Sequence, residues 1–268
     1  MQPLVAICNI FDQDAERLAG FATEHGFSGI DWSIDSDLPE EEFLARIKTL
    51  AGFQVRYHCR FHGVDVAYTD RRGDDSLALL LRTVDQVARA GGRHMTVHCG
   101  LGNPTGEGIT IARAIDNLAI LVRHGQRNGV AVALENLTTP LTNDPQLFQR
   151  IVVESGACVT IDIGHAHAVR DLTPAGDTFA DYVLPHLNRL RNAHIYHTEL
   201  DGYGHVPPES LGDISSRLDL LGLATSCDWW VIELMNPSEV LHTRDLLRCH
   251  LDSLSPQNIP LSLAAVYG

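Results

Sequence analysis

The stretch "VAVALENLTTPLTNDPQLFQRIVVESGACVTIDIGHA", residues 130–166, contains two apolar, strand-like runs with a helical segment between them. Asp144 can cap that helix, with Pro145 in its first turn. The first apolar run ends on Glu135 and the second on Asp162. A strand, a helix and a second strand in this order predict a parallel βαβ unit.

The same alternation continues in both directions along the chain. The runs "LVAICNI", "FSGIDWSI", "FQVRYHCRF" and "HMTVHCG" come before this unit, and "NAHIYHTE" and "WWVIEL" come after it. Eight strand and helix pairs in one chain of this length predict a single-domain (β/α)8 TIM barrel over residues 1–268. We expect the C-terminal tail, 256–268, to pack on the barrel or on an oligomer partner. The predicted helices are 13–25, 39–51, 74–90, 108–128, the one after Asp144, 176–190, 207–221 and 238–253.

Composition narrows the class of partner. The formal net charge is −14 and Lys48 is the only lysine, which disfavours nucleic acid as a partner and leaves little basis for Schiff-base catalysis. No run has the length of a signal peptide or a membrane span, and the six cysteines form no CxxC pair. We therefore expect a cytoplasmic protein with a small-molecule substrate and no membrane contact. A homodimer or homotetramer remains open.

Acids and imidazoles stand where the predicted strands end. In a TIM barrel these ends form the mouth that binds ligands. A single histidine at such a place is most often a hydrogen-bonded loop anchor, but carboxylates and imidazoles gathered at one mouth call for a cation between them. Mixed nitrogen and oxygen donors favour Zn²⁺, Mn²⁺, Fe²⁺ or Co²⁺ over Ca²⁺. The residues concerned are His58, His98, Glu135, Asp162, His165, His194, His197, His205 and Glu233.

Several of these motifs resemble one known family. They are "GFSGIDW", "YHCRFHGVD", "VHCG", "ALENL", "IDIGHA", "AHIYHTELDGYGHVPP" and "VIELMNP", and they resemble the xylose isomerase-like metal barrels. That family contains sugar and sugar phosphate isomerases and epimerases and the apurinic endonucleases. The resemblance implies that Glu135, Asp162, His194 and Glu233 hold the metal, with His165 as the histidine of the D-x-x-H step.

The seventh strand departs from the family pattern. The family commonly has an aspartate two or three residues after the strand histidine, and this chain has His197 near that place. Tyr203 stands before His205, where a further aspartate ligand is expected. Alternation lets only one of two residues three apart face the centre, unless the strand bends or ends between them, so His194 and His197 both stay open as the ligand.

The resemblance implies a divalent-metal-dependent isomerase or epimerase of a small sugar, sugar phosphate or polyol, working by proton transfer through a metal-held enediolate. Glu135 and Glu233 would move the proton, and His165 would orient the substrate. We expect one ion at this site, with two or three as the alternative. Further candidates for substrate binding are Arg60, Arg170 and Trp32. A second metal or the substrate could also be bound by a set of histidines, which are His58, His98, His165, His197 and His205.

The runner-up is a metal-cluster phosphoesterase of the apurinic-endonuclease type. Its extra ions would be held by His58, His98, His165 and His205, and its substrate would be a small phosphodiester or a nucleotide-bearing molecule. A related lyase or dehydratase and a non-catalytic metal- or sugar-binding barrel are further alternatives. The number of bound ions separates the two leading hypotheses, since one ion favours proton transfer and two or three favour phosphoester cleavage.

Overall fold

The computed structural model describes residues 2–36, 38–169 and 179–254. Eight parallel strands close into a barrel in the order β1–β2–β3–β4–β5–β6–β7–β10 and back to β1. Two further strands, β8 and β9, form a separate antiparallel hairpin. The predicted (β/α)8 barrel is confirmed. The strands are β1 Leu4–Ile7, β2 Gly29–Ser33, β3 Gln54–His58, β4 His94–Val97, β5 Ala131–Glu135, β6 Cys158–Asp162, β7 Leu190–Ile195, β8 Thr198–Leu200, β9 Gly204–Val206 and β10 Trp229–Ile232.

Helices connect the strands and cover the outside of the barrel. The cap predicted for α5 is present, because the Asp144 carboxylate accepts hydrogen bonds from the backbone of Gln146 and Leu147 at 2.8 and 2.9 Å. Short 3-10 turns lie at Leu184–His186 and Leu211–Asp213. The helices are α1 Ala15–His25, α2 Glu40–Thr49, α3 Arg71–Arg89, α4 Ile111–Arg127, α5 Pro145–Ser155, α6 Ile163–Ala168, α7 Phe179–Val183, α8 Ser215–Gly222 and α9 Pro237–Ser253.

The predicted helices differ from the observed ones in three places. Of the helix expected over 176–190, the described residues contain α7 at Phe179–Val183 and the 3-10 turn Leu184–His186, and β7 begins at Leu190. The helix expected over 207–221 begins only at Ser215, because residues 207–214 start with two prolines and form the 3-10 turn Leu211–Asp213. Helix α6 begins directly after β6, where no helix was expected. The Asp162 carboxylate starts it by accepting a hydrogen bond from the His165 backbone at 2.7 Å.

The barrel interior below the mouth holds hydrogen-bonded polar groups as well as apolar ones. The hydroxyls of Thr96 and Thr160 lie 2.8 Å apart, and the Asn192 amide donates to the Thr96 hydroxyl at 3.5 Å. Trp229 and Trp230 of β10 are both buried. Partnered polar groups inside the barrel support a polar site directly above them.

None of the described helices is long and apolar enough to cross a membrane. The C-terminal tail, 256–268, and Arg170 lie outside the described residues, so their predicted roles stay predictions.

Candidate metal centre

The mouth of the barrel contains a buried group of four predicted ligands. Glu135 ends β5, Asp162 ends β6, His194 lies in β7 and Glu233 follows β10. Each offers one donor atom, and the four atoms all lie within 4.8 Å of one another. Nδ1 of His194 lies between the two glutamates, 3.2 Å from Oε1 of Glu135 and 3.0 Å from Oε2 of Glu233. This arrangement suits one divalent cation with one nitrogen and three oxygen donors.

A second group shares Glu135 with the first. Nε2 of His58 and Nε2 of His98 are 2.9 Å apart, and they lie 3.2 and 3.1 Å from Oε2 of Glu135. The other carboxylate oxygen of Glu135 faces His194. Glu135 therefore has the geometry of a bridge between two neighbouring donor groups.

A third group consists of Asp162, His165 and His205. Both imidazoles are oriented through Nδ1, which donates to the carbonyl of Asn136 at 2.9 Å in His165 and to that of Glu233 at 2.7 Å in His205. Because Nδ1 carries the proton in this arrangement, Nε2 is left as the donor atom of each ring.

Asn136, the middle residue of "ENL", ties the ends of two strands together. Its amide donates to the Asp162 carbonyl at 3.0 Å, and its side-chain oxygen accepts from the Asp162 backbone at 2.8 Å. This pair of hydrogen bonds holds the acid that ends β6 beside the one that ends β5.

Electrostatics in the four-residue group are governed by the contacts between acids and imidazoles. Burial raises the pKa of Glu135, but the imidazoles of His194 and His98 outweigh burial and hold that pKa well below its usual range. The pKa of Glu233 is likewise held low, chiefly by His194 against burial. Burial lowers the pKa of His194, yet the two glutamates raise it well above its ordinary value. These carboxylates thus require positive charge beside them, which a divalent cation also supplies.

In the third group the pKa of the acid shifts in the opposite direction. Burial raises the pKa of Asp162, against the opposing effect of His165. Burial lowers the pKa of His165, but Asp162 and Glu199 raise it to about 10. Nε2 of His165 lies 3.1 Å from the Glu199 carboxylate, and hydrogen bonding to His165 lowers the pKa of Glu199.

The residues present fit a bound cation. Oδ2 of Asp162, which lies 3.9 Å from Nδ1 of His194, is buried and has no hydrogen-bond partner among the described residues. An unpartnered buried donor or acceptor costs free energy, so such atoms facing a cluster of carboxylates are suited to metal coordination. The donor set of imidazole and carboxylate is the one that zinc, manganese, cobalt and iron accept.

Sequence reasoning missed two acids at this mouth. Asp31 of β2 is buried, lies 3.8 Å from Nδ1 of His58, and has two carboxylate oxygens without hydrogen-bond partners among the described residues. Glu199 lies on the β8–β9 hairpin beside His165. The available signal for Asp31 was an acid inside the apolar run "FSGIDWSI"; for Glu199 no sequence signal predicted the hairpin that places it.

Two predicted site residues lie elsewhere. Trp32 was expected to contact substrate, but it is fully buried in the hydrophobic core, because strand alternation turns Asp31 into the barrel and Trp32 away from it. His197 lies outside the described donor groups: β7 ends at Ile195, and the Nδ1 of His197 accepts a hydrogen bond from Arg217 at 3.2 Å. Of the two histidines that the sequence left open, His194 belongs to the four-residue donor group and His197 does not.

Two adjacent cavities lie at the donor groups. The inner chamber, about 240 Å³, is lined by donor residues and by Leu101 of the loop after β4. The outer chamber, about 850 Å³, is bounded by the loops after β1, β2, β3 and β10 and by the β8–β9 hairpin. Tyr203 lines the outer chamber. The two chambers share Arg60, His62, Glu199, His205 and Glu233.

The sequence matches the model of one protein family, the xylose isomerase-like TIM barrel, over residues 19–247. The chain belongs to the xylose isomerase-like TIM barrel family. A curated relative is an uncharacterized protein of Methanocaldococcus jannaschii, 29% identical over 178 residues that cover 66% of this chain and 74% of the relative. The predicted family resemblance is confirmed.

Solved structures share the fold at low sequence identity. The D-allulose 3-epimerase from Methylomonas sp. superimposes with a TM-score of 0.74 at 16% identity, covering 93% of this chain and 98% of that one. The IOLI protein with a binding zinc atom superimposes with a TM-score of 0.72 at 15% identity, covering 94% and 99%. Members of this xylose isomerase-like fold therefore include a sugar epimerase and a zinc-binding protein.

Proposed function

We propose that this chain is a divalent-metal-dependent isomerase or epimerase of a small sugar or related polyol. The observation that carries the proposal is the buried pair of glutamates, Glu135 and Glu233, on either side of His194 at the floor of a cavity. Two carboxylates that face one space can remove a proton from one side of a carbon and return it to another position. The fold shared with a sugar epimerase supports the same class of reaction.

The chain's own residues account for proton movement. A divalent cation in the four-residue group would polarise a carbonyl group and acidify the neighbouring C–H. Glu233 lines both chambers and Glu135 lines the inner one, so a sugar between them would meet a carboxylate on two sides. The lowered pKa of each glutamate keeps it ionised at neutral pH and able to accept a proton.

His165 would orient the substrate in this scheme. Its ring is held by the Asn136 carbonyl on one side and by Glu199 on the other, at 2.9 and 3.1 Å. Nε2, beside Glu199, is the ring atom that would meet a sugar oxygen, since Nδ1 is used by Asn136 and His165 lines the inner chamber. Arg60, which lines both chambers, is a second substrate-binding candidate.

The test is solvent deuterium exchange. Protein loaded in turn with Zn²⁺, Mn²⁺, Co²⁺ and Fe²⁺ is incubated with ketoses in D2O, and NMR measures deuterium at the carbon next to the carbonyl. We expect exchange with the parent protein and with the control Glu154→Gln, on the outer surface of α5, and its loss in Glu135→Gln and Glu233→Gln. Full turnover in both active-site variants would show that the proton-transfer assignment is wrong.

A phosphoesterase with two or three ions is the second candidate. The observation in its favour is three additional donor groups, which consist of His58, His98 and Glu135, of Asp162, His165 and His205, and of Asp31, His58 and His194. Elemental analysis of the purified protein discriminates between the two functions. One ion per chain supports the isomerase, whereas two or three ions together with hydrolysis of bis(p-nitrophenyl) phosphate support the phosphoesterase.

The cytoplasmic location and the homodimer or homotetramer stay predictions. Sedimentation of the purified protein measures the second of these directly.

A further inference from the structure

We propose that the outer chamber binds an uncharged second sugar ring, so that the substrate is a glycoside-like sugar and not a sugar phosphate. This inference rests on the proposed function, because it places the reacting carbonyl in the inner chamber. The inference specifies the chemical nature of the part of the substrate that lies in the outer chamber.

Cavity size supports a substrate with two parts. Small-molecule sites commonly enclose roughly 300–1,000 Å³. The inner chamber, at about 240 Å³, lies below that range, and the outer chamber, at about 850 Å³, lies within it. Glu199, His205 and Glu233 line both chambers, so the two cavities are adjacent and a ligand with one part in each would contact these three side chains. A free monosaccharide at the donor groups would leave the outer chamber without a ligand contact.

The charge of the outer chamber disfavours a phosphate there. Three of its carboxylates, on Asp12, Asp35 and Glu239, lie outside the donor groups, while Arg60 is the one arginine or lysine among the described lining residues. A phosphate is bound by several N–H donors and by positive charge. Carboxylates instead accept hydrogen bonds from hydroxyl groups, which a sugar ring carries in pairs.

The rim of the outer chamber offers apolar faces. Tyr203, in the turn of the β8–β9 hairpin, is 70% exposed, and Met235, just after β10, is 56% exposed; both line this chamber. An exposed aromatic ring packs well against the C–H face of a sugar, and methionine adapts to irregular ligands. Met235 has no hydrogen-bond donor for a phosphate, and the ring face of Tyr203 suits a C–H surface better than a charged oxygen.

Binding of three ketoses that differ only at carbon 6 tests the proposal. They are D-fructose, with a hydroxyl there, isomaltulose, with a glucosyl group, and fructose 6-phosphate. Isothermal titration calorimetry on the metal-loaded protein measures the Kd of each. We expect isomaltulose to bind about tenfold tighter than either of the others.

A variant pair locates the effect. Tyr203→Ala should remove most of the advantage of isomaltulose over fructose and leave the Kd of fructose unchanged. The matched control is Leu223→Ala, which removes an exposed apolar side chain just after α8 and should change neither value. If Tyr203→Ala weakens all three ligands equally, or leaves the advantage intact, the outer chamber is not where the second ring binds.

The acidic lining is tested by Asp12→Asn combined with Glu239→Gln. These changes should lower the Kd of fructose 6-phosphate and leave the Kd of fructose unchanged. The difference in affinity between isomaltulose and fructose 6-phosphate should therefore become smaller. Tighter binding of fructose 6-phosphate than of isomaltulose by the parent protein overturns this inference but not the proposed function. No metal-dependent binding by any of the three ketoses contradicts the proposed function and this inference with it.

Discussion

His94 and His194 are equally enclosed at opposite ends of the barrel, with 5% and 0% of their surfaces exposed. His94, at the first residue of β4, has no hydrogen-bond partner among the described residues, and burial together with Arg56 lowers its pKa far below the usual value. His194, at the mouth, has a pKa well above the usual value because Glu135 and Glu233 outweigh burial. Since both are buried, the neighbouring carboxylates decide the sign of the shift.

The comparison sets a buried histidine with no acid beside it, at the lower end, against one that lies between two glutamates at the mouth. One carboxylate is not enough, because burial outweighs Glu135 and lowers the pKa of His98. Strand alternation alone does not separate the two ends, because His94, Thr96 and His98 are spaced to share one face of the chain. The acids that end β5 and β6 make the difference. Function is therefore expected at one end only.

The largest effect is expected from the acids of the mouth. Glu135→Gln removes one proton-transfer group and one metal donor and should lower turnover by about 10²–10⁴-fold at saturating metal. The measurement is kcat on the ketose that the deuterium exchange experiment identifies. Glu154→Gln, with the same chemical change on the outside of α5, should keep parental activity. A loss of less than about tenfold in Glu135→Gln would mean that Glu135 takes no part in proton transfer.

The next effect separates the two histidines directly. His194→Asn should weaken metal binding by about 100-fold or more, whereas His94→Asn should leave the affinity and the stoichiometry unchanged. Titration with Zn²⁺ against a competing chelator measures both variants. If both variants lost the same affinity for Zn²⁺, His94 would also support the metal centre, and the contrast between the two ends of the barrel would be wrong.

The pH dependence of stability sharpens the contrast. His186 resembles His94 because it is buried without a hydrogen-bond partner among the described residues, and burial lowers its pKa to about 4. The unfolded chain binds a proton at this histidine below about pH 6.5 and the folded chain does not until about pH 4, so stability is lost as the pH falls through that window.

The size of the effect is about 1.4 kcal/mol of unfolding free energy per pH unit at most. Urea unfolding at pH 7 and pH 5 measures it. The variant His186→Leu keeps an apolar contact for Phe148, whose ring centroid lies 5.3 Å from that of His186. The free energy of unfolding should fall less between pH 7 and pH 5 in this variant than in the parent protein. An unchanged slope would show that His186 is not a source of the acid sensitivity.

The smallest effect concerns a helix start away from the donor groups. Asp144→Ala removes the cap of α5 and should lower the free energy of unfolding by about 1 kcal/mol. Metal stoichiometry should not change, because Asp144 belongs to none of the described donor groups. Urea unfolding and elemental analysis on the same sample measure the two quantities. A change in the number of bound ions would show that α5 helps to shape the mouth.

Much of the site could be predicted because strand ends are local features. Glu135, Asp162 and Glu233 each follow an apolar run, and parallel strands bring such ends to one edge. The hairpin of β8 and β9 could not be predicted from periodicity, because each strand has three residues. Glu199, which lies on β8, was missed for that reason.

Two further differences follow from side-chain direction. Within "GIDWS", Asp31 and Trp32 are adjacent; Trp32 was the predicted substrate-binding candidate, whereas the structure buries Trp32 in the core and places Asp31 beside His58. The end of β7 at Ile195 turns His197 away from the donor groups, and no local pattern marks that end. Both choices depend on a strand's register and end point.

The sequence by itself determined the alternation of barrel strands and outer helices, the cap of α5 and the acids and imidazoles at the ends of β3 to β7 and β10, because these depend on residues a few positions apart. Only the tertiary structure decided that Glu135 is shared by two donor groups, that Asp31 lies beside His58 and Glu199 beside His165, and that two adjacent chambers lie at the mouth of the barrel. Those facts depend on how closing the barrel brings together strands that are far apart in the chain, and distances of about 3 Å between side chains are set by that closure and not by local spacing.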